Sequence, residues 1–443
     1  MSAIRLAVIG AGSAEFSAGV IRDICVRSSL AGSRVMLMDI DERRLAVIHR
    51  FATRYAAELG ADVTFEKTPD RLQALSGDDF VINTAQVGGH STVEKVRSFC
   101  EERGYYRGLD FPMMAIQTRM MLSVARDMES ACPRAWLLQC SNPLPEGCTA
   151  MTRHTGIKVC GLCHGHFGYQ HIAGTLGLPP EKVRAQMIGL NHLIYLTHFE
   201  CDGQDAYPLL DRWIAEKAPQ YWAAPQTNYM ENQLSPAAIE QYQRLGLMPI
   251  GDTPRVGGWW FHTDLGAKQR WYGRPWAGFD SELGWAEYLR LCRRKVQEIE
   301  NAALNDSARL TELYPPRPTW EQHFQLIEAL HNDKVVELQV NVPNRGTIEG
   351  IPGDVVAEMP SICSRRGIQP LHVGALPPAI MLNEIWPRIL QMERVIELAL
   401  HPSREMMLTM VLQDHRTRDY DQAVGMLNDL ATLPELAELF GGK

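Results

Sequence analysis

Nowhere in the chain do apolar side chains run unbroken for the roughly 18–20 positions that a membrane-spanning helix needs, so no membrane partner is expected. The first residues, MSAIRLAVIGAG, pass directly into a short apolar strand and a glycine turn. They lack the apolar core and cleavage site of an export signal, and the chain is expected in the cytoplasm. Lys and Arg are scattered within a mixed-sign pattern of formal charge −8. No basic stripe exists of the kind that tracks nucleic acid, so that partner is not expected either. Low-complexity tracts and short repeats are also missing. Ten cysteines without an export signal read as reduced thiols rather than a disulfide framework. The single C-x-x-C, Cys160 and Cys163, has no second pair at similar spacing, which argues against a zinc ribbon.

What is present is a globular composition, 45% hydrophobic and 22% charged over 443 residues, long enough for about two domains of roughly 150–200 residues. The stretch IRLAVIGAGSAEF reads as strand, tight turn and helix. Gly10 permits the turn, and Gly12 and Ser13 bring backbone N–H groups toward a pyrophosphate at the helix N-terminus. The third glycine of the dinucleotide fingerprint is replaced by Glu15. A second strand, RVMLMDIDE, ends in Asp39, placed for the ribose hydroxyls, and the neighbouring Asp41 and Glu42 would repel a 2′-phosphate, favouring NAD over NADP. DFVINTA ends in Asn83 and Thr84 and AWLLQCSNP in Asn142, so polar residues gather at one strand edge, where α/β sheets bind ligands.

The expected fold is α/β: an N-terminal Rossmann-like, doubly wound sheet over residues 1–196, then a C-terminal α+β domain over 197–443 with antiparallel strands and helices. Helical spacing marks AYPLLDRWIAEKA, LGWAEYLRLCRRKVQEIENAAL and PAIMLNEIWPRILQMERVIELAL. Turn residues divide KVVELQVNVPNRGTIEGIPGDVVAEMP into short strands. The aromatic run VGGWWFHTDLGAKQRWYGRPW suits either sugar stacking or packing.

The nine residues CGLCHGHFG offer two thiols and two imidazoles after a strand at the ligand-binding edge. MIGLNHLIYL ends its strand with Asn191 and His192. Cys163 and His192 suit a divalent cation whose other positions stay open to substrate and water. A buried, unreactive thiol and a hydrogen-bonded imidazole are the alternative reading of the same residues.

In order along the chain, GAGSAEFS, LMDIDERRL, DFVINTAQVGGH, GYYRGLD, SNPLPEG, GLCHGHFG, GLNHLIYL, QLSPAAIEQY, MPIGDTPR, KQRWYGRPWAG, NVPNRGTIEGIPGDVVAEMP and GALPP resemble glycoside hydrolase family 4, most closely its α-glucosidase branch. The resemblance implies a glycosidase that requires NAD and Mn²⁺, or another divalent metal, and acts on a small glycoside. It implies that Cys163 and His192 hold the metal, that Asn142 and Asn191 lie near cofactor and sugar, and that Asp252 of PIGDTPR is the base. His164 falls in the motif that separates substrate branches, and CH there resembles members acting on unphosphorylated sugars. The implied reaction oxidises C3, removes the C2 proton, eliminates the aglycone, adds water and returns the hydride. An α-glucoside is favoured, with an α-glucuronide, α-galacturonide or α-galactoside as alternatives. His164 is a further candidate for acid catalysis or a sugar contact. The resemblance also implies a homodimer or homotetramer.

The chain departs from the α-glucosidase pattern between GYYRGLD and SVARDME, where a shortened loop over 110–121 falls on their candidate acid. Asp110 survives there. Arg107 and Arg119 are placed to pair with a carboxylate, as a uronide would require. Two readings of other classes share the N-terminal half: a simple NAD-dependent dehydrogenase and a non-catalytic NAD-binding sensor.

Overall fold

The computed structural model describes residues 3–224, 233–272 and 282–441. Six strands, β1 (Arg5–Ile9), β2 (Ser33–Met38), β3 (Val63–Thr68), β4 (Phe80–Asn83), β5 (Trp136–Gln139) and β6 (Lys158–Gly161), pair in parallel in the order 3-2-1-4-5-6. That is the doubly wound dinucleotide-binding order. The winding follows from β1: Leu6 and Val8 enter a core shared with the helices Ala14–Cys25 and Glu42–Leu59, whereas Ala7 and Ile9 enter another beneath the helices Phe111–Ala131 and Leu144–His154. A strand apolar on both faces needs cover on both sides. Phe51 and Tyr55 are fully buried in the first core, each worth roughly 2–3 kcal/mol of apolar burial.

The sheet does not stop at β6. The later strands are β7 (Val183–Leu190), β8 (Leu193–Cys201), β9 (Gln204–Asp205), β10 (Met248–Ile250), β11 (Val336–Pro343), β12 (Ile348–Glu349), β13 (Val356–Ser364), β14 (Gly367–Pro370) and β15 (Gly374–Ala375). Continuing from β6 come β11, β13, β7, β8 and β10, all antiparallel to their neighbours, with β9 on β8 and β14 on β13, giving 13 strands among the described residues. Strands β12 and β15 form a separate pair. The expected α/β architecture with an antiparallel C-terminal part is what the chain adopts. The expected division at residue 196 falls within β8, whose neighbours come from both sides of it.

Gly10 makes the first turn possible: its φ is +84°, and a Cβ there would lie 2.5 Å from the Ala85 backbone nitrogen. Asp41 caps the helix Glu42–Leu59 through the Arg44 N–H, and Gly60, at φ +67°, ends it. One expectation is corrected. Residues 111–121 are not a loop but the opening turns of a 21-residue helix, Phe111–Ala131, with Pro112 in its first turn where no N–H is needed. The apolar spacing of Phe111, Ala115, Ile116 and Met121, all buried, is the signal for it. The aromatic run also resolves toward packing in its described part: Phe261 is fully buried with its ring 4.5 Å from that of Trp271, and residues 273–276 of the run lie outside the described residues.

Glu384 sits in a π-turn, Met381–Ile385, and is 7% exposed. Its Oε1, the Tyr195 hydroxyl and Gln241 Oε1 are buried without hydrogen-bond partners among the described residues. Burial pushes the carboxyl up to about 7. A carboxyl raised on folding is charged at a cost above its folded value and neutral at no cost below its unfolded one. Glu384→Gln is therefore expected to be more stable than the wild type above pH 7, the difference closing toward pH 4.5, as read from urea midpoints across that range.

Candidate functional site

The dinucleotide loop is built from backbone. The N–H groups of Gly10 and Ala11 donate to the Met38 carbonyl, which ties the loop to the end of β2. Asp39 accepts the Gly12 N–H at 2.7 Å through Oδ2 and the Asp41 N–H at 2.8 Å through Oδ1. Thr84 Oγ1 donates to the carbonyls of Ile9 and Gly10. Ser13 is exposed at the N-terminus of the helix Ala14–Cys25. The Gly12 N–H is taken by Asp39 and the Ser13 N–H by the Gly10 carbonyl, so a pyrophosphate on that N-terminus would meet the first-turn N–H groups that follow Ser13. Asn83 takes a different place: it is fully buried, donates to Gln139 Oε1 at 2.9 Å and accepts the Ala85 N–H. It shapes the loop from beneath.

Cys163 follows β6, and His192 occupies a two-residue turn between β7 and β8 with φ +62°, the left-handed region that few non-glycine residues adopt. The turn brings His192 Nε2 to 3.7 Å from Cys163 Sγ. Bonds of roughly 2.1 Å to nitrogen and 2.3 Å to sulfur span such a separation on one cation. Burial holds the His192 imidazole below its ordinary value, hence neutral, and pushes the thiol up to about 12. A cation would oppose that second effect. No group of three His, Cys, Asp or Glu side chains suited to a metal exists among the described residues, so two protein donors would leave the other positions open.

Asp252 lies behind His192, its Oδ2 3.3 Å from Nδ1, and Arg255 donates to the same oxygen at 2.6 Å. Burial alone would raise this carboxyl, but the cations around it, Arg255 foremost, bring it below its ordinary value. It is held ionised.

A cavity of about 440 Å³ opens beside this group at the carboxyl edge of β4 and β5. Arg107, Asp110, Asn142, Asn191 and His192 line it together. Asp110 precedes the helix Phe111–Ala131 without capping it by side chain and is exposed. The cationic lining comprises Arg97, Arg107, Arg255, Lys268 and Arg388 against one acid, Asp110. Acids behind the wall orient the guanidinium groups: Glu94 and Glu101 contact Arg97, and the buried Glu146 contacts Arg388.

The model of family 4 glycosyl hydrolases matches residues 5–177, and that of their C-terminal domain matches 187–417. The chain belongs to family 4 of the glycosyl hydrolases. It is 25% identical over 382 residues to an α-galactosidase of Bacillus subtilis strain 168, spanning 84% of both chains. It is 26% identical over 477 residues to an α-glucosidase of Erwinia rhapontici, covering 99% of this chain and 97% of the other. It is 22% identical to an α-galacturonidase of Lachnoclostridium phytofermentans, covering 95% and 92%. Among solved structures, the lplD protein of Bacillus subtilis superposes with a TM-score of 0.81 at 20% identity, over 97% of this chain and all of the other. A 6-phospho-α-glucosidase from gut microorganisms in complex with NAD and Mn²⁺ gives 0.74 at 18% identity, over 97% and 98%.

In this family 4 hydrolase two expected substrate residues do not join the cavity lining. Arg119 is on the helix Phe111–Ala131 and faces Glu438 at 3.8 Å. This corrects its reading as a sugar-site residue, because the helix carries position 119 toward the C-terminal segment Pro434–Phe440. His164 is exposed, its Nδ1 3.4 Å from Glu321. Glu321 and Glu358 were missed by reading the sequence. Glu358 had a signal, a carboxylate inside the apolar run VVAEMPSI. Glu321 had none, since it arrives from a loop distant in sequence. The Glu321 contact raises the His164 imidazole above its ordinary 6.5. Glu321→Gln is expected to lower the His164 midpoint, measured by histidine hydrogen–deuterium exchange in the metal-free protein.

Proposed function

We propose that the chain is an NAD- and Mn²⁺-dependent glycosidase whose preferred sugar carries a carboxylate, an α-glucuronide or α-galacturonide. The supporting observation is the cationic cavity. Five positive side chains against Asp110 suit a carboxylate, which arginine binds in bidentate fashion, better than the neutral α-glucoside favoured by the resemblance. The NAD and Mn²⁺ of the gut 6-phospho-α-glucosidase complex agree with the loop and with the thiol–imidazole pair. His164 in place of an acidic residue keeps the reading with an unphosphorylated sugar.

In this reading Gly10, Gly12, Ser13 and Asp39 hold the dinucleotide, with Asn142 near its reactive end, and Cys163 and His192 hold the cation. Bound there, the cofactors supply reversible hydride removal from the sugar and Lewis-acid polarisation of the oxygen left behind. Asp252, kept ionised by Arg255, takes the proton from the carbon next to the oxidised centre. Its second partner, the neutral His192, lines the cavity beside it. Asp110, at the cavity wall, donates a proton to the leaving oxygen. Arg107 fixes the sugar carboxylate, and Asn191 accepts from a ring hydroxyl.

A panel of aryl α-glucuronide, α-galacturonide, α-glucoside, α-galactoside and 6-phosphoglucoside, assayed with NAD⁺, Mn²⁺ and reductant in D₂O, tests this. The uronides are expected to be cleaved at least about tenfold faster in kcat/KM than the neutral sugars, with deuterium at C2 and no net NADH. Preference for a neutral sugar or the phosphosugar would sink the carboxylate reading, and stoichiometric NADH would indicate a dehydrogenase. Asp252→Asn is expected to lower kcat about 10²–10⁴-fold with little change in KM, as read from steady-state kinetics.

A further inference from the structure

A row of residues lies directly opposite one another across six strands near the carboxyl edge of the parallel half. Asn83 pairs with Gln139, Gln139 with Gly161, Gly161 with Asn341, Asn341 with Glu358, and Glu358 with Gly189. Asn83, Gln139, Asn341 and Glu358 are each at most 1% exposed, a costly arrangement that hydrogen bonds offset in part, since Asn341 Oδ1 and Glu358 Oε1 have no partner among the described residues. Residues opposed in a sheet share a face. The row therefore runs from beneath the dinucleotide loop, where Asn83 accepts the Ala85 N–H, to the strand that enters the Asn191–His192 turn.

At the far end Asn191 Nδ2 donates to Glu358 Oε2 at 2.8 Å. Asn191 is 2% exposed and lines the cavity, and its Oδ1 has no partner among the described residues. An amide whose NH₂ is held must turn its carbonyl oxygen the other way. Gly189, at φ +149°, lets the turn close, since a Cβ there would lie 2.2 Å from the Leu193 carbonyl oxygen. The turn is thus fixed by backbone at one point and by Glu358 at another. The Asn191 amide also reaches the Cys163 thiol, and Glu358 is its carboxylate partner.

We propose that Glu358 is a positioning residue for the Asn191–His192 turn: by accepting the Asn191 amide it fixes the Asn191 carbonyl oxygen as an acceptor for a substrate hydroxyl and keeps the adjacent His192 ring against Cys163. The sugar half of this inference rests on the glycosidase reading above, whereas the His192 half needs only the thiol–imidazole pair. Glu358 and a glutamine in its place both offer an oxygen that accepts the Asn191 amide.

The test compares wild type, Glu358→Gln, Glu358→Ala and Asn191→Ala as full-length proteins. Mn²⁺ binding to the cofactor-free chain is read by electron paramagnetic resonance of the free ion, and kinetics are measured on whichever glycoside the wild type cleaves. Glu358→Ala is expected to weaken Mn²⁺ binding about tenfold or more, the usual consequence of removing a group that orients a ligand, and to raise KM more than it lowers kcat. Glu358→Gln, whose carbonyl still accepts the Asn191 amide, is expected to keep Mn²⁺ binding within about threefold of wild type. Asn191→Ala is expected to raise KM as Glu358→Ala does. Unchanged Mn²⁺ affinity and KM in Glu358→Ala, or equal impairment in Glu358→Gln, would overturn the proposal. If Glu358→Ala does not fold, the other two decide: a raised KM in Asn191→Ala beside near-normal Mn²⁺ binding in Glu358→Gln supports it, and any other pairing overturns it. A wild type that binds Mn²⁺ but cleaves no glycoside removes the glycosidase reading alone, and the variants' Mn²⁺ affinities still decide the role of Glu358. A wild type that binds no Mn²⁺ overturns both.

Discussion

The approach of Cys163 to His192, 3.7 Å between sulfur and nitrogen, depends on strands that are far apart in the sheet order. Cys163 leaves β6, and His192 lies beyond β7, with β11 and β13 interposed between those strands. Two reactive side chains meet only because the parallel half and the antiparallel half are one hydrogen-bonded surface. The cavity, the loop that suits a dinucleotide and the ionised Asp252 all take their places from the same edge of that surface. A scaffold that rigid suits chemistry in which a cofactor and a cation must address adjacent atoms of one small ring.

Charge is distributed with similar economy. Asp252 is kept anionic against burial by Arg255, while the His192 imidazole stays neutral because burial outweighs its acidic neighbour. Two groups in contact are therefore driven to opposite charge states, one ionised and one neutral, by opposite balances of the same two effects. The acids that face the guanidinium groups of the cavity lie mainly behind its wall. They orient those groups and offset part of their charge.

Much of this was legible in the residues. Strand ends carrying Asp39, Thr84 and Asn142 are short-range signals, each readable within a dozen positions, and all three residues follow the carboxyl ends of parallel strands. Asn83 shows the limit of that logic: a polar strand end is equally able to turn inward and satisfy a neighbour, and Gln139, its partner, is 56 positions away. Arg119 failed for a different reason. The stretch around it is shorter than in the α-glucosidases, which suggests a loop, yet its apolar residues have helical spacing, and a helix fixes direction where a loop does not. Glu321, Arg388 and Lys268 come from segments that approach the site only through tertiary packing, so no local pattern announces them.

The sheet's continuity carries a consequence for biogenesis. β6 pairs with β5 on one side and with β11, which begins at Val336, on the other. A chain interrupted after its dinucleotide-binding motifs would leave β6 as an open edge, with N–H and C=O groups unpaired and ready to template association with another molecule. The segment that carries the nucleotide motif is therefore not a detachable module. Its last strand waits for residues made far later, a long-range closure of the kind that slows folding and lengthens exposure to aggregation.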